Sequence, residues 1–179
     1  VQVFKSHLDE RSSGIHAISS HDGRRVEARP VSRSLEIAEH TADEVDVVAI
    51  DEVQFLDTGI VEVANRLADR GIRVIISGTD MDFRGEPFGQ IGPLLAVAER
   101  IDKLHAICVV CGELATRNQR LIDGLPAAAE GPTIQVGGSE TYEARCRHCH
   151  EVPSSHDDQI RLIDEFEEPE AASVRRSQT

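Results

Sequence analysis

A chain of 179 residues holds one medium domain, or a domain with a small appendage, and its 40% hydrophobic residues suffice for a buried core. The 19 Lys and Arg against 32 Asp and Glu leave a net charge of −13, which argues against a nucleic-acid backbone or an anionic membrane as partner. No apolar run approaches the roughly 20 residues that cross a bilayer, and the opening residues lack a signal pattern, so the expected location is cytoplasmic.

In chain order, residues 1–4 read as a strand already under way, and a segment upstream of it is expected. The polar, glycine-containing stretch 6–23 predicts a loop, followed by a short helical pattern at Leu35, Ile37 and Ala38. Residues 45–50 form a near-continuous apolar run that predicts a strand covered on both faces, with Asp51 and Glu52 at its end. Ile60, Val63, Ala64 and Leu67 recur at helical spacing, and Gly71 supplies a left-handed stop. A second buried strand is predicted over 72–77, a helix around 94–98 and a further strand over 104–108. This alternation predicts an α/β fold with a doubly wound, mostly parallel sheet.

From Cys108 to about Val152 the chain changes to short, glycine-punctuated segments between two cysteine pairs, read as a small second domain. Cys108-Val-Val-Cys111 and Cys146-Arg-His-Cys149 each leave two residues between thiols, the spacing at which both sulfurs turn toward one tetrahedral ion. Gly112 suits the tight turn of such a knuckle. Four thiolates close the coordination shell, so the expected Zn²⁺ is structural rather than catalytic. His148 and His150 flank Cys149 and compete with it as ligands, although Cys149 alone reproduces the spacing of the first pair.

Asp51 and Glu52 sit at the carboxyl end of a central strand, where ligands bind in open α/β sheets. In phosphoryl transfer an aspartate placed there holds Mg²⁺, and a neighbouring carboxylate takes the proton of the attacking hydroxyl. Gln54 and Phe55 follow, an amide and an aromatic face suited to reading and stacking a base.

Taken together, Asp51-Glu-Val-Gln-Phe55, Asp80-Met-Asp-Phe83-Arg-Gly-Glu-Pro-Phe88-Gly89, the pair Cys108 and Cys111, and Val136-Gly-Gly-Ser-Glu-Thr-Tyr142 before Cys146 and Cys149 form an ordered set. In order and spacing the chain resembles the type II, zinc-containing thymidine kinases over roughly residues 1–153. The resemblance implies a P-loop NTPase-like fold and transfer of the γ-phosphate of ATP to the 5′-hydroxyl of thymidine with Mg²⁺. It also implies a homotetramer inhibited by thymidine triphosphate. Glu52 then corresponds to the general base, Asp51 to the acid that orders the Mg²⁺ shell, and Asp9 and Arg11 to a segment near the phosphates. Phe55, Phe83 and Phe88 correspond to walls of the base pocket, which Tyr142 closes, with main-chain groups of Gln135, Val136 and Gly137 on the base edge.

The expected division is therefore an α/β nucleotide-binding domain at 1–107, a zinc-binding lasso domain at 108–153, and an acidic, largely disordered tail at 154–179. That tail carries one apolar-periodic patch at Ile160, Leu162, Ile163 and Phe166. Three departures from the family pattern stand out. The glycine-rich Lys-Ser/Thr loop is absent from these 179 residues and is expected upstream, its strand beside the Asp51 strand, so the chain alone is expected to be inactive. Thr79 stands where leucine is frequent and Asn118 where a small hydroxyl residue is common. The alternative reading is a non-catalytic zinc module that binds a nucleotide or a protein.

Overall fold

The computed structural model of the protein describes residues 1–8, 17–19, 24–135 and 141–153. Strand β1 (Gln2–Ser6) is followed by β2 (Ala17–Ser19) and β3 (Arg25–Glu27), which pair antiparallel, so part of the expected loop is a short ladder. Strand β4 (Arg29–Val31) returns alongside β1 in parallel register, Phe4 facing Arg29 and Ser6 facing Val31. Its central Pro30 is tolerated because β4 lies at the edge of the sheet. Helix α1 (Ser34–His40), strand β5 (Val47–Asp51), a 3-10 turn at Val53–Phe55, helix α2 (Ile60–Asp69), strand β6 (Arg73–Ile76) and helix α3 (Ile91–Val97) complete an α/β unit. Its four-stranded parallel sheet runs β4-β1-β5-β6.

Alternation along the strands decides which side is buried. Phe4, Val31, Val48 and Ile50 join Ile37 of α1, Ile60, Ala64 and Leu67 of α2, and Ile91 and Leu94 of α3 in one continuous core. The opposite face, with Val3, Val47 and Ala49, is only half-buried among the described residues. Strand β6 departs from its expected burial: Val74 and Ile76 are half-buried and Ile75 is 47% exposed, because the strand has one neighbour and lies at the sheet's other edge. Strand β5 has both sides taken, by β1 and β6. A further parallel strand therefore has no place beside the Asp51 strand, contrary to expectation.

The strand expected over 104–108 is reduced to β7 (Ala106–Ile107), which pairs antiparallel with β8 (Leu114–Ala115) outside the central sheet. Leu104 is 88% exposed, and the Cys108 N–H donates to the Glu113 carbonyl at 2.8 Å, so the first knuckle draws this segment into a hairpin of its own. Strands β9 (Arg117–Ile122), β10 (Leu125–Pro126) and β11 (Tyr142–Arg145) make a second antiparallel sheet in the order β10-β9-β11. Asp123 and Gly124, with φ of 52° and 79°, form the two-residue turn between β9 and β10. The expected tail and its apolar patch lie outside the described residues.

Helix α1 has no local side-chain cap. Asp57 supplies one from a distance, accepting the Ser34 N–H at 2.7 Å, the Ser34 hydroxyl at 2.6 Å and the Gly59 N–H at 2.9 Å. The Ser34 hydroxyl, outweighing an opposing effect of burial and aided by the Ser34 and Gly59 N–H groups, holds Asp57 below its ordinary value of 3.8. Asp57→Ala is expected to cost about 1 kcal/mol of unfolding free energy at neutral pH, measured by urea unfolding. A depressed carboxylate pKa contributes stability above its unfolded value and loses it as pH falls through the folded value. The gap between variant and parent is therefore expected to be full at neutral pH and to shrink below pH 3.8.

Candidate functional site

Two knuckles meet at the base of the second sheet. In the first, the Gly112 N–H returns to the Cys108 carbonyl at 2.9 Å; in the second, the N–H groups of Cys149 and His150 return to the Cys146 carbonyl at 3.2 and 3.1 Å. The sulfurs of Cys108, Cys111, Cys146 and Cys149 all lie within 4.8 Å of one another, with Cys111 and Cys146 at 3.6 Å. Sulfurs bound tetrahedrally to zinc are about 3.8 Å apart, so the set can hold a metal ion with little adjustment. Burial raises the Cys108 thiol pKa, but N–H groups of Cys146, Cys111 and Val110 outweigh it and bring it down to about 6. Cys149 is pushed up to about 12, chiefly by the neighbouring thiols of Cys146 and Cys111. Four thiolates this close repel one another, and a central cation lets all four ionise. His150 is engaged elsewhere, its Nε2 lying 2.8 Å from the Phe83 carbonyl oxygen. The only group of this kind among the described residues consists of the four cysteines.

At the end of β5, Asp51 Oδ1 accepts the Ser77 hydroxyl at 2.5 Å. The chain then turns sharply, with Glu52 at φ 52° and ψ 43°, a left-handed conformation uncommon outside glycine. Gln54 is 4% exposed and its amide is committed at both ends: Nε2 donates to Glu52 Oε2 at 2.5 Å and Oε1 accepts the Thr79 N–H at 3.2 Å. Its role is thus to hold the acid loop against the loop after β6, not to offer a free amide to a base. Gly89, at φ +53°, passes so near that an added Cβ would stand 2.2 Å from the Gln54 carbonyl oxygen, so glycine is required there.

Between the central sheet and the cysteine lobe lies a cavity of about 480 Å³. Gln54, Phe55, Thr79 and Phe88 line it on one side, and Asn118, Gln135 and Tyr142 on the other. The rings of Phe55 and Phe88 meet edge to face, their centroids 5.6 Å apart. The Tyr142 hydroxyl donates to the Gln135 carbonyl at 2.8 Å.

The thymidine kinase family model matches residues 1–150. The chain belongs to the thymidine kinase family. Membership makes it a nucleoside kinase, a phosphotransferase, and gives its strand-end acids and two-lobed cavity a common context. No helix among the described residues is long and apolar enough to cross a membrane.

Of the residues that the resemblance assigns to this family's base pocket, Phe55, Phe88, Gln135 and Tyr142 line the cavity together. Phe83 does not; it is buried, with the guanidinium groups of Arg84 and Arg120 over its ring at 4.3 and 3.9 Å from the centroid. Those cations take the stacking surface that a base would need. Asp9, Arg11, Val136 and Gly137 lie outside the described residues. Three charged residues escaped the sequence reading. Arg84 and Arg120 give no signal by spacing, whereas Lys5 gives a weak one, a cation inside an apolar strand. Lys5 is 1% exposed, is the register partner of Asp51 and donates to the Ala17 carbonyl at 3.3 Å.

The metal cluster is expected to retain one zinc ion per chain through dialysis, measured by atomic absorption. Cys146→Ser is expected to lose that ion and to lower the melting temperature sharply, because structural zinc contributes on the order of 10 kcal/mol to folding a small lobe.

Proposed function

We propose that the protein transfers the γ-phosphate of ATP to the 5′-hydroxyl of thymidine, giving thymidine monophosphate in deoxynucleoside salvage. One observation carries the reading: a nucleoside-sized cavity is lined from both lobes, and its lining residue Gln54 is hydrogen-bonded to Glu52. The aromatic corner of Phe55 and Phe88 receives the base, and Tyr142 closes over it with the main chain from Gln135 through Val136 to Gly137. Glu52 takes the proton of the attacking hydroxyl. The left-handed turn and the Gln54 amide aim its carboxylate, which removes part of the orientational cost of the reaction.

Asp51 keeps Oδ2 for a cation while Ser77 holds Oδ1, and the family resemblance supports a role near the phosphates for Asp9 and Arg11. Mg²⁺ bound with ATP supplies charge neutralisation across the phosphate oxygens. Zinc at the four cysteines is structural, since four protein sulfurs leave no open position. The proposed division places nucleotide binding in 1–107 and the lasso in 108–153, with a tail at 154–179. Family resemblance supports a cytoplasmic homotetramer with feedback by thymidine triphosphate, and the net charge of −13 supports a small-molecule substrate rather than a nucleic acid.

The glycine-rich Lys-Ser/Thr loop that cradles a triphosphate does not occur in these 179 residues. Phosphoryl transfer depends on positioning and charge neutralisation, so the 179-residue chain by itself is expected to show no turnover in a labelled-ATP assay, whereas a chain that also carries such a loop is expected to turn over. Magnesium-dependent turnover by the 179 residues alone would relocate phosphate binding. In the active form, Glu52→Gln is expected to lower kcat by about 10² to 10⁴ with thymidine affinity nearly unchanged. A kcat within about threefold of the parent would assign the proton to another group, Asp51 first.

A further inference from the structure

Arg120 on β9 is 1% exposed, yet among the described residues no carboxylate pairs with it. A buried guanidinium is costly unless its charge is met by other means. Here the means are carbonyl dipoles and ring faces. Arg120 donates to the carbonyls of Pro132 and Thr133, the latter at 2.8 Å, and its Nε donates to the Tyr142 hydroxyl at 3.1 Å. Its guanidinium stacks on Phe83, which comes from the loop after β6. Arg84, also over the Phe83 ring, donates to the carbonyls of Ala129, at 2.7 Å, and Gly131 and to the Thr133 hydroxyl at 3.0 Å.

We propose that Arg120 is a positioning residue for nucleoside recognition, the central pin of an Arg84–Phe83–Arg120 clamp that fastens segment 129–135 to the α/β unit. The inference rests on the nucleoside reading of the cavity. Thr133 and Gln135 line that cavity, and Tyr142, which binds both Arg120 and the Gln135 carbonyl, lines it as well. Any outward movement of the segment strips the buried cation of its acceptors. The segment is therefore held in its binding shape before a ligand arrives, which lowers the ordering cost of binding. A lysine cannot replace this role, since a compact ammonium neither spans two carbonyls and a hydroxyl nor stacks on a ring.

The test is calorimetric titration of thymidine into the zinc-loaded parent, Arg120→Lys and Arg84→Gln, well below each melting temperature, with amide hydrogen exchange over 129–135. Arg120→Lys is expected to raise the thymidine Kd about 10- to 100-fold, to speed exchange in that segment, and to keep one zinc per chain. Zinc-loaded Arg120→Lys that binds within about twofold of the parent overturns the proposal. Should Arg120→Lys fail to fold, Arg84→Gln carries the test. It loosens the same segment from its more accessible side, and unchanged Kd and unchanged exchange there overturn the clamp. A parent that binds no nucleoside overturns the reading of the cavity and the proposal with it, an outcome distinct from a parent that binds and a variant that binds equally well.

Discussion

The small lobe that follows residue 107 depends on four sulfur atoms converging within 4.8 Å of one another. The lobe that carries them has almost no core of its own: its buried cluster is Cys108, Ala115 and Cys146, with Ala144 and Cys149 packed alongside. Ile107, Val109, Val110 and Leu114 are all exposed. Apolar burial on that scale cannot offset the conformational entropy of ordering two short sheets. A metal ion held by the four cysteines would take the place of a core, and strand β11, which supplies Tyr142 to the cavity, ends beside the first cysteine of the second pair.

Order passes from this lobe to the loops at the carboxyl end of the sheet through polar contacts rather than apolar packing. His150, next to the last cysteine, reaches the Phe83 carbonyl, while Gln119 exchanges two hydrogen bonds with the backbone of Glu151 at 2.8 Å each. Within the α/β unit, Gln54 performs a similar service between the acid loop and Thr79. Both devices use a buried amide or imidazole with its partners satisfied, the condition under which buried polar groups specify one geometry. The cavity between the lobes is consequently lined by residues whose positions are set before any ligand enters.

Features with local periodicity or fixed spacing were legible in the sequence. The β5 strand, helix α2 with its stop at Gly71, and the paired cysteines all appear where their patterns place them. Strand β4 was not legible, because three residues around a proline carry no period and form a strand only through their pairing with β1. The run at 72–77 looked fully buried because β-branched residues on an edge strand read the same as those on a central one. The Asp123-Gly124 turn carries a hairpin signal of its own, eclipsed by the cysteine spacing around it. In the site, aromatic residues could be named but not sorted. Phe55 and Phe88 line the cavity and Phe83 does not, and the difference lies in two arginines distant in sequence from one another.

Glu52 holds a backbone conformation that would cost a glycine nothing and costs a side-chain-bearing residue roughly 1 kcal/mol or more. A search for thermostable variants would therefore favour glycine at this position and, in doing so, delete the carboxylate proposed as the base. With Glu52 as the proposed base, selection for stability and selection for turnover would pull in opposite directions at a single residue. Any lineage that kept the fold but abandoned the chemistry should drift first at Glu52, which makes that position a marker for telling working members of the family from retired ones.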